Sequence, residues 1–347
     1  MATLLLSNLK PVSSDHDTFT DVFEDLFLKS EKVNIAVGYV SVQSLISLEE
    51  LMGIHNSVSC ELIVGMYGKD GISKSTYQAL KGFNEFALSS GRAKLDICTA
   101  FPFHGKIYSF QQNKQSFASI VGSSNLSNVV KQNPERIYEV DVLVDEQPFQ
   151  RDVQTFIESL SKATNPFDRW STYKIIPDTL SFLDGHIGVE KISQADQLHF
   201  WQHRTNVSFA IPLKTEEKSN LNVYFGKGRL STKTGIVRNR PWYEVELIVS
   251  KSITSQSGYP ANRSFTVITD DGWKFKCKTS GDFSKNFRSE DDLQTLGKWI
   301  KGRLENDGVL NIKQIVDDTV LNNYGRSSIA LTATDDPDVW LLDFSKS

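Results

Sequence analysis

His104 and Lys106 stand two residues apart, and Gly122-Ser123-Ser124-Asn125 follows after a short gap. An imidazole, an ammonium and an amide brought to one point can bind and attack a phosphate diester without a metal. The ring nitrogen attacks phosphorus, while the cation and the amide hold the charge that develops on the phosphoryl oxygens. Side chains two apart on a β-strand share a face, so a strand through residues 104–106 would aim both groups at one place. Residues 107–110 and 116–121 read as two short strands joined by a polar turn at 111–115. That hairpin returns Asn125 to His104 and Lys106, with the Ser123 hydroxyl as one more donor. The other histidines (His16, His55, His186, His199 and His203) have no such company.

The elements that must position this group alternate. Apolar strands are expected at 33–40, 60–66, 93–100 and 138–144, and helices at 41–52, 73–88 and 148–162. In the second helix Tyr77, Leu80, Phe83 and Phe86 fall on one side. Continuous apolar strands between helices predict an α/β half with a mixed sheet covered on both faces. From about residue 165 scattered Pro, Gly and aromatic residues replace the periodicity. The expected division is a catalytic and dimerisation domain at 1–178, a linker at 179–194 and a second domain at 195–347.

The second half reads as mainly β, with strands at 207–211, 222–225, 242–249, 264–269, 273–278, 328–332 and 339–344. Asp270-Asp271-Gly272 is a hairpin turn signal. Helices are expected at 290–304, capped by Ser289, and at 311–324, ending at Gly325. A small barrel or strongly curved sheet with two helices follows.

At 347 residues each half can bury its own core. Lysine plus arginine (38) nearly balances aspartate plus glutamate (42), so bulk charge does not point to nucleic acid and local clusters must carry that case. The three cysteines, Cys60, Cys98 and Cys277, are scattered and odd in number, which argues against a disulfide framework and suits a reducing compartment. The opening apolar run is too short for a signal peptide, and no stretch has the length of a membrane-spanning helix. A cytoplasmic protein is expected.

The H-x-K spacing followed by G-S-x-N resembles the signature of the phospholipase D superfamily of phosphodiesterases. The resemblance implies that His104 is the nucleophile, through a phosphohistidine, and that Lys106 and Asn125 hold the non-bridging oxygens. It also implies a chemical step with no cofactor and no divalent metal. One departure is that Gln111 stands where the family usually has an acid five positions after the lysine, which weakens the lipid-enzyme reading more than the nuclease one. A carboxylate must still fix the histidine; Glu139, opening an apolar strand, is the preferred candidate and Glu135 the alternative. Only one copy of the motif is present, whereas the chemistry uses two histidines. The N-terminal half is therefore expected to form a homodimer with a shared site.

Two basic runs in the second half could hold DNA. Lys227, Arg229, Ser231, Lys233, Arg238, Asn239, Arg240 and Trp242 lie in one, and Lys276, Lys278, Ser284, Lys285, Asn286 and Arg288 in the other. Basic residues among Ser, Asn and an aromatic suit phosphate clamping and base-edge reading, although lysine-rich edge strands also serve simply to discourage aggregation. Two basic arms around an apolar strand pair resemble the B3-like pseudobarrel. Together the halves resemble the BfiI/NgoFVII group of restriction endonucleases. That implies a site-specific endonuclease acting on double-stranded DNA and a cognate DNA methyltransferase in the same system. The sequence has no G-x-x-x-x-G-K-[ST] phosphate loop, so any nucleotide-driven activity would come from a separate ATPase subunit, and no amphipathic stretch points to a membrane. The competing readings are a lipid phosphodiesterase, which would want two motifs, and a DNA-binding regulator with an inactive nuclease half. A metal nuclease built on Asp270, Asp271 and Lys274 is disfavoured, because Asp-Asp-Gly is explained by the turn.

Overall fold

A computed structural model of the chain describes residues 1–9, 12–130, 137–176, 182–230 and 235–346. The chain divides into two compact units, Met1–Pro177 and Asp178–Ser347.

The first unit runs β1 (Ala2–Leu6), α1 (Phe19–Leu28), β2 (Lys32–Val37), α2 (Val42–Ile54), β3 (Ser59–Val64), α3 (Lys74–Ser90), β4 (Ala93–Ile97), β5 (Ile107–Gln112), β6 (Gln115–Gly122), β7 (Val140–Val144), α4 (Gln147–Lys162) and β8 (Asn165–Pro166). These eight strands form one sheet in the order β1-β7-β6-β5-β2-β3-β4-β8, and two further short strands, Ile72–Ser73 and Ile175–Ile176, pair separately in parallel. The pairs β2–β3 and β3–β4 are parallel and the rest antiparallel, so the sheet is mixed.

Local chemistry starts the helices where the sequence places them. Ser41 closes a capping box on α2 with Ser44, and the Ser73 hydroxyl accepts the Thr76 N–H at the start of α3. Alternation along β5 then sorts the two faces. Tyr108 and Phe110 meet α1, where Phe23 sits edge-on to each at 5.7 Å, and burial of each such ring stabilises the unit by about 1.5–3 kcal/mol. On the other face Ser116 and Ser119 donate to Oε1 of Gln150 on α4 at 2.7 and 2.6 Å. The β5–β6 turn is tighter than the expected polar loop. Asn113 and Lys114 both take positive φ (51° and 62°), the two-residue turn whose twist matches the strands it joins.

One expectation central to the site is corrected. His104 and Lys106 do not lie on a strand; β5 begins at Ile107, the last residue paired with β2. Upstream the chain turns to bond Gly65 instead, with Phe103 N donating to Gly65 O at 3.0 Å. A Cβ at Gly65 would sit 2.1 Å from Phe103 O, so only glycine admits this crossing.

The second unit contains α5 (Gln194–Gln202), β9 (Arg204–Pro212), β10 (Arg229–Leu230), β11 (Val237–Arg238), β12 (Leu247–Ile248), β13 (Ser264–Thr269), β14 (Trp273–Ser280), β15 (Asn286–Ser289), α6 (Thr295–Asp307), α7 (Asp318–Tyr324), β16 (Ser328–Thr334) and β17 (Val339–Asp343). The main sheet runs β9-β16-β17-β13-β14-β15-β12 and curls into a half-barrel. The short hairpin β10–β11 stands apart from it.

Several expected elements differ here. Residues 222–225 belong to a 3-10 helix, Asn220–Phe225, because the buried Asn222 amide bonds both backbone groups of Val316 at 2.9 Å. Of the strand expected at 242–249 only β12 pairs. Tyr243 O lies where a Cβ of Gly297 would come within 1.9 Å, so this stretch packs directly on α6. Ser289 ends β15 and accepts the Leu296 N–H, and α6 starts later, at Thr295. Asp317 caps α7, which is correspondingly shorter than the expected helix. Helix α5, capped by Ser193, was not expected and begins within the stretch read as linker.

Candidate active site

The site is assembled where the chain leaves β2 and β6 and enters β5. Lys106 is buried and His104 exposed, and Lys106 Nζ stands 3.0 Å from His104 Nε2. The same ammonium donates to His104 O at 2.7 Å, which folds the 104–106 segment back on itself. The closeness that strand alternation was expected to supply thus comes from this loop. Burial pushes the Lys106 pKa down, opposed by the negative charge of Glu139.

Asn125 immediately precedes the 3-10 helix Leu126–Val129, and its Oδ1 accepts not from that helix but from the Tyr39 N–H at 3.2 Å, leaving the NH2 as the donor end. Beneath it the buried Asp141 carboxylate accepts the Ser124 N–H at 3.0 Å and the Ser124 hydroxyl at 2.5 Å. Burial pushes the Asp141 pKa up against these bonds. Tyr108 OH donates to Ser124 O at 2.8 Å. Gly122 is required here, since a Cβ would lie 2.2 Å from Asp141 Oδ1.

Glu139 accepts from the Ser123 hydroxyl and from Asn128 Nδ2, and its backbone N–H is held by Ser7 Oγ at 3.0 Å. Among the described residues its carboxylate is therefore engaged by Ser123 and Asn128 and not by His104. Glu135 lies outside the described residues.

Sequence reasoning missed Tyr39, which touches both key groups. Its ring meets the His104 imidazole edge-on at 5.8 Å and 76°, and its hydroxyl donates to Asp70. Gly38 is packed so that a Cβ would be 3.0 Å from His104 Cδ2. The only trace in the sequence is a Gly-Tyr pair closing an apolar strand, a common core pattern.

In the second unit the expected DNA contacts separate into classes. Lys227, Asn239 and Lys276 are exposed, while Arg238, Lys278, Lys285, Asn286 and Arg288 are partly exposed; Lys278 Nζ comes to 3.9 Å from Glu290. Ser231 and Lys233 lie outside the described residues. Arg229 and Arg240 converge on one oxygen of the wholly buried Glu244, at 2.6 and 2.5 Å. Ser284 is buried. Trp242 is fully buried, its indole N–H donating to Glu305 at 2.8 Å, so its place among the DNA contacts is corrected to the core.

Residues 17–167 match the family described as the NgoFVII restriction endonuclease N-terminal PLD domain, and residues 199–335 the family described as the NgoFVII C-terminal B3-like DNA-binding domain. Among solved structures the chain is similar to NucT from Helicobacter pylori (12% identity, TM-score 0.34, 48% of this chain and 100% of that one). It is also similar to the phospholipase D family member Nuc from Salmonella typhimurium (13%, 0.33, 48% and 97%). No curated protein matches the chain.

Proposed function

The chain belongs, through both its halves, to the NgoFVII restriction endonuclease family, and from that premise we propose that it is a site-specific endonuclease cutting double-stranded DNA without a metal at a site shared by two copies. A phospholipase D-type nuclease domain is joined in it to a DNA-binding domain. The observation that carries the proposal is the Lys106 ammonium 3.0 Å from His104 Nε2, with Asn125 tied into the same corner through Tyr39.

In the proposed reaction a ring nitrogen of His104 attacks phosphorus. An N–P bond forms, the P–O bond to the leaving sugar oxygen breaks, and that oxygen takes a proton from the protonated His104 of a second copy. Water then attacks the phosphohistidine, gives its proton to that now neutral second imidazole, and the N–P bond breaks. Lys106 and the Asn125 NH2 stabilise the phosphoryl oxygens at both steps. A second copy is needed because the chain has one such histidine. Exposed Phe101, Ile137, Tyr138 and Val140 flank the site residues and suit an apolar seat for it. A cutter of this kind requires a cognate methyltransferase to protect the host's own DNA, and it operates in the cytoplasm, where that DNA lies.

Plasmid cleavage in excess chelator, wild type beside His104→Ala, tests the reading. Cutting by wild type alone is expected. Cutting by the variant, or strict dependence of the chemical step on magnesium, would refute it.

A further inference from the structure

Among the described residues, the pair Gly38-Tyr39 contacts both the nucleophile and the amide. Tyr39 presents its ring edge-on to the His104 imidazole, at 5.8 Å between centroids. Its backbone N–H donates to Asn125 Oδ1 at 3.2 Å. An amide whose oxygen is already bonded can offer only its NH2 to an anion. The tyrosine is itself braced from both ends by the helical turn Tyr67–Asp70: its hydroxyl donates to Asp70, and its ring meets Tyr67 edge-on at 5.8 Å. Tyr67 is fixed in turn by bonds between its hydroxyl and the backbone of Val40, 3.1 Å from N and 2.8 Å from O. Gly38 lies beside the imidazole, where a Cβ would come within 3.0 Å of His104 Cδ2.

We propose that Tyr39 is a positioning residue for phosphodiester cleavage, setting the plane of the His104 ring through its own ring and the orientation of the Asn125 amide through its N–H. The inference rests on the nuclease reading for its kinetic half and on geometry alone for the rest. The hydroxyl serves as an anchor and not as an acid: its pKa is raised to about 12, chiefly by the bond to Asp70.

The test uses the full chain with histidines isotopically labelled, and supercoiled plasmid and bis(p-nitrophenyl) phosphate as substrates in chelator. Tyr39→Leu removes the ring. It should lower kcat about 100-fold with KM within twofold, as expected when a reacting group is displaced by about 1 Å. It should also move the His104 ring resonances, identified by their loss in His104→Ala. Tyr39→Phe keeps the ring and should stay within about fivefold of wild type, because ring packing survives loss of the anchor. Tyr39→Leu with wild-type kcat and unmoved His104 resonances would overturn the proposal, as would a rise in KM alone. If wild type is as silent as His104→Ala, the nuclease reading fails, and the resonances still decide whether Tyr39 sets the ring.

Discussion

Replacing Arg240 should separate structural arginines from DNA-binding ones. Glu244 is wholly buried, and its Oε1 accepts from Arg229 Nη2 at 2.6 Å and from Arg240 Nη2 and Nε at 2.5 and 3.1 Å. Among the described residues its Oε2 has no hydrogen-bond partner. Stripping a buried carboxylate of its cation costs about 3–5 kcal/mol. Arg240→Met removes two of these three bonds and leaves Arg229, so a loss of about 2–3 kcal/mol is expected. Glu244→Gln removes the buried charge and should cost about 1 kcal/mol. The double variant should then lose about 1–2 kcal/mol, less than the sum, giving a coupling of about 2 kcal/mol. Urea unfolding followed by tryptophan fluorescence is the assay: of the six tryptophans only Trp170 precedes Asp178, so the signal reports mainly the second unit. Additive losses would refute the buried-charge argument. In parallel, the salt dependence of binding to random duplex should be unchanged by Arg240→Met, whereas Lys276→Met should reduce its slope by about one phosphate contact.

Three further outcomes are expected. Gly65→Ala drives a Cβ to 2.1 Å from Phe103 O; it should shift the loop carrying His104 and cut plasmid cleavage by about 100-fold or more while costing about 1–3 kcal/mol in a thermal melt. Lys106→Met should abolish cleavage yet leave the melting midpoint unchanged or higher, because it removes a buried charge that the fold only partly compensates; a lowered midpoint would show the lysine to be structural. His186 has its pKa lowered to about 4 by burial, with Lys298 adding to the effect. The unfolded chain, near 6.5, takes up that proton first, so stability is complete above about pH 6.5 and declines as pH falls towards 4, by about 2 kcal/mol between pH 7 and 5. His186→Leu should lack this step when urea midpoints at the two pH values are compared.

What the sequence disclosed about the site is what is local. His104 and Lys106 just precede one hairpin and Ser123 and Asn125 just follow it, so the hairpin brings its two ends together, while the closeness of His104 to Lys106 comes from the loop before the strand. What it concealed depends on distant chain. Tyr39 reaches Asn125 across 86 residues of sequence, and a Gly-Tyr step at a strand end has nothing to distinguish it from core. Glu139 is held by Ser7 from the far end of the unit. In the second unit a basic run looked solvated as a whole, because periodicity cannot show that Glu244 points inward and gathers Arg229 and Arg240. The strands misread at 222–225 and 242–249 failed for kindred reasons: a buried asparagine took over the backbone bonds of Val316, and a glycine in α6 let a neighbouring segment lie against the helix.

The pairing of β1 with β7 bears on how the protein is made. Ala2 lies opposite Val144, and Ser7 exchanges bonds with the backbone of Glu139, so β1 waits for a partner that emerges about 140 residues later. At about 5–20 residues per second the ribosome needs roughly 7–30 s to supply it. Until then the sheet has an unpaired edge and the carboxylate has no seat. A nascent or prematurely terminated chain lacking β7 therefore carries His104 and Lys106 in an unfinished site, with the backbone of Glu139 not yet held by Ser7.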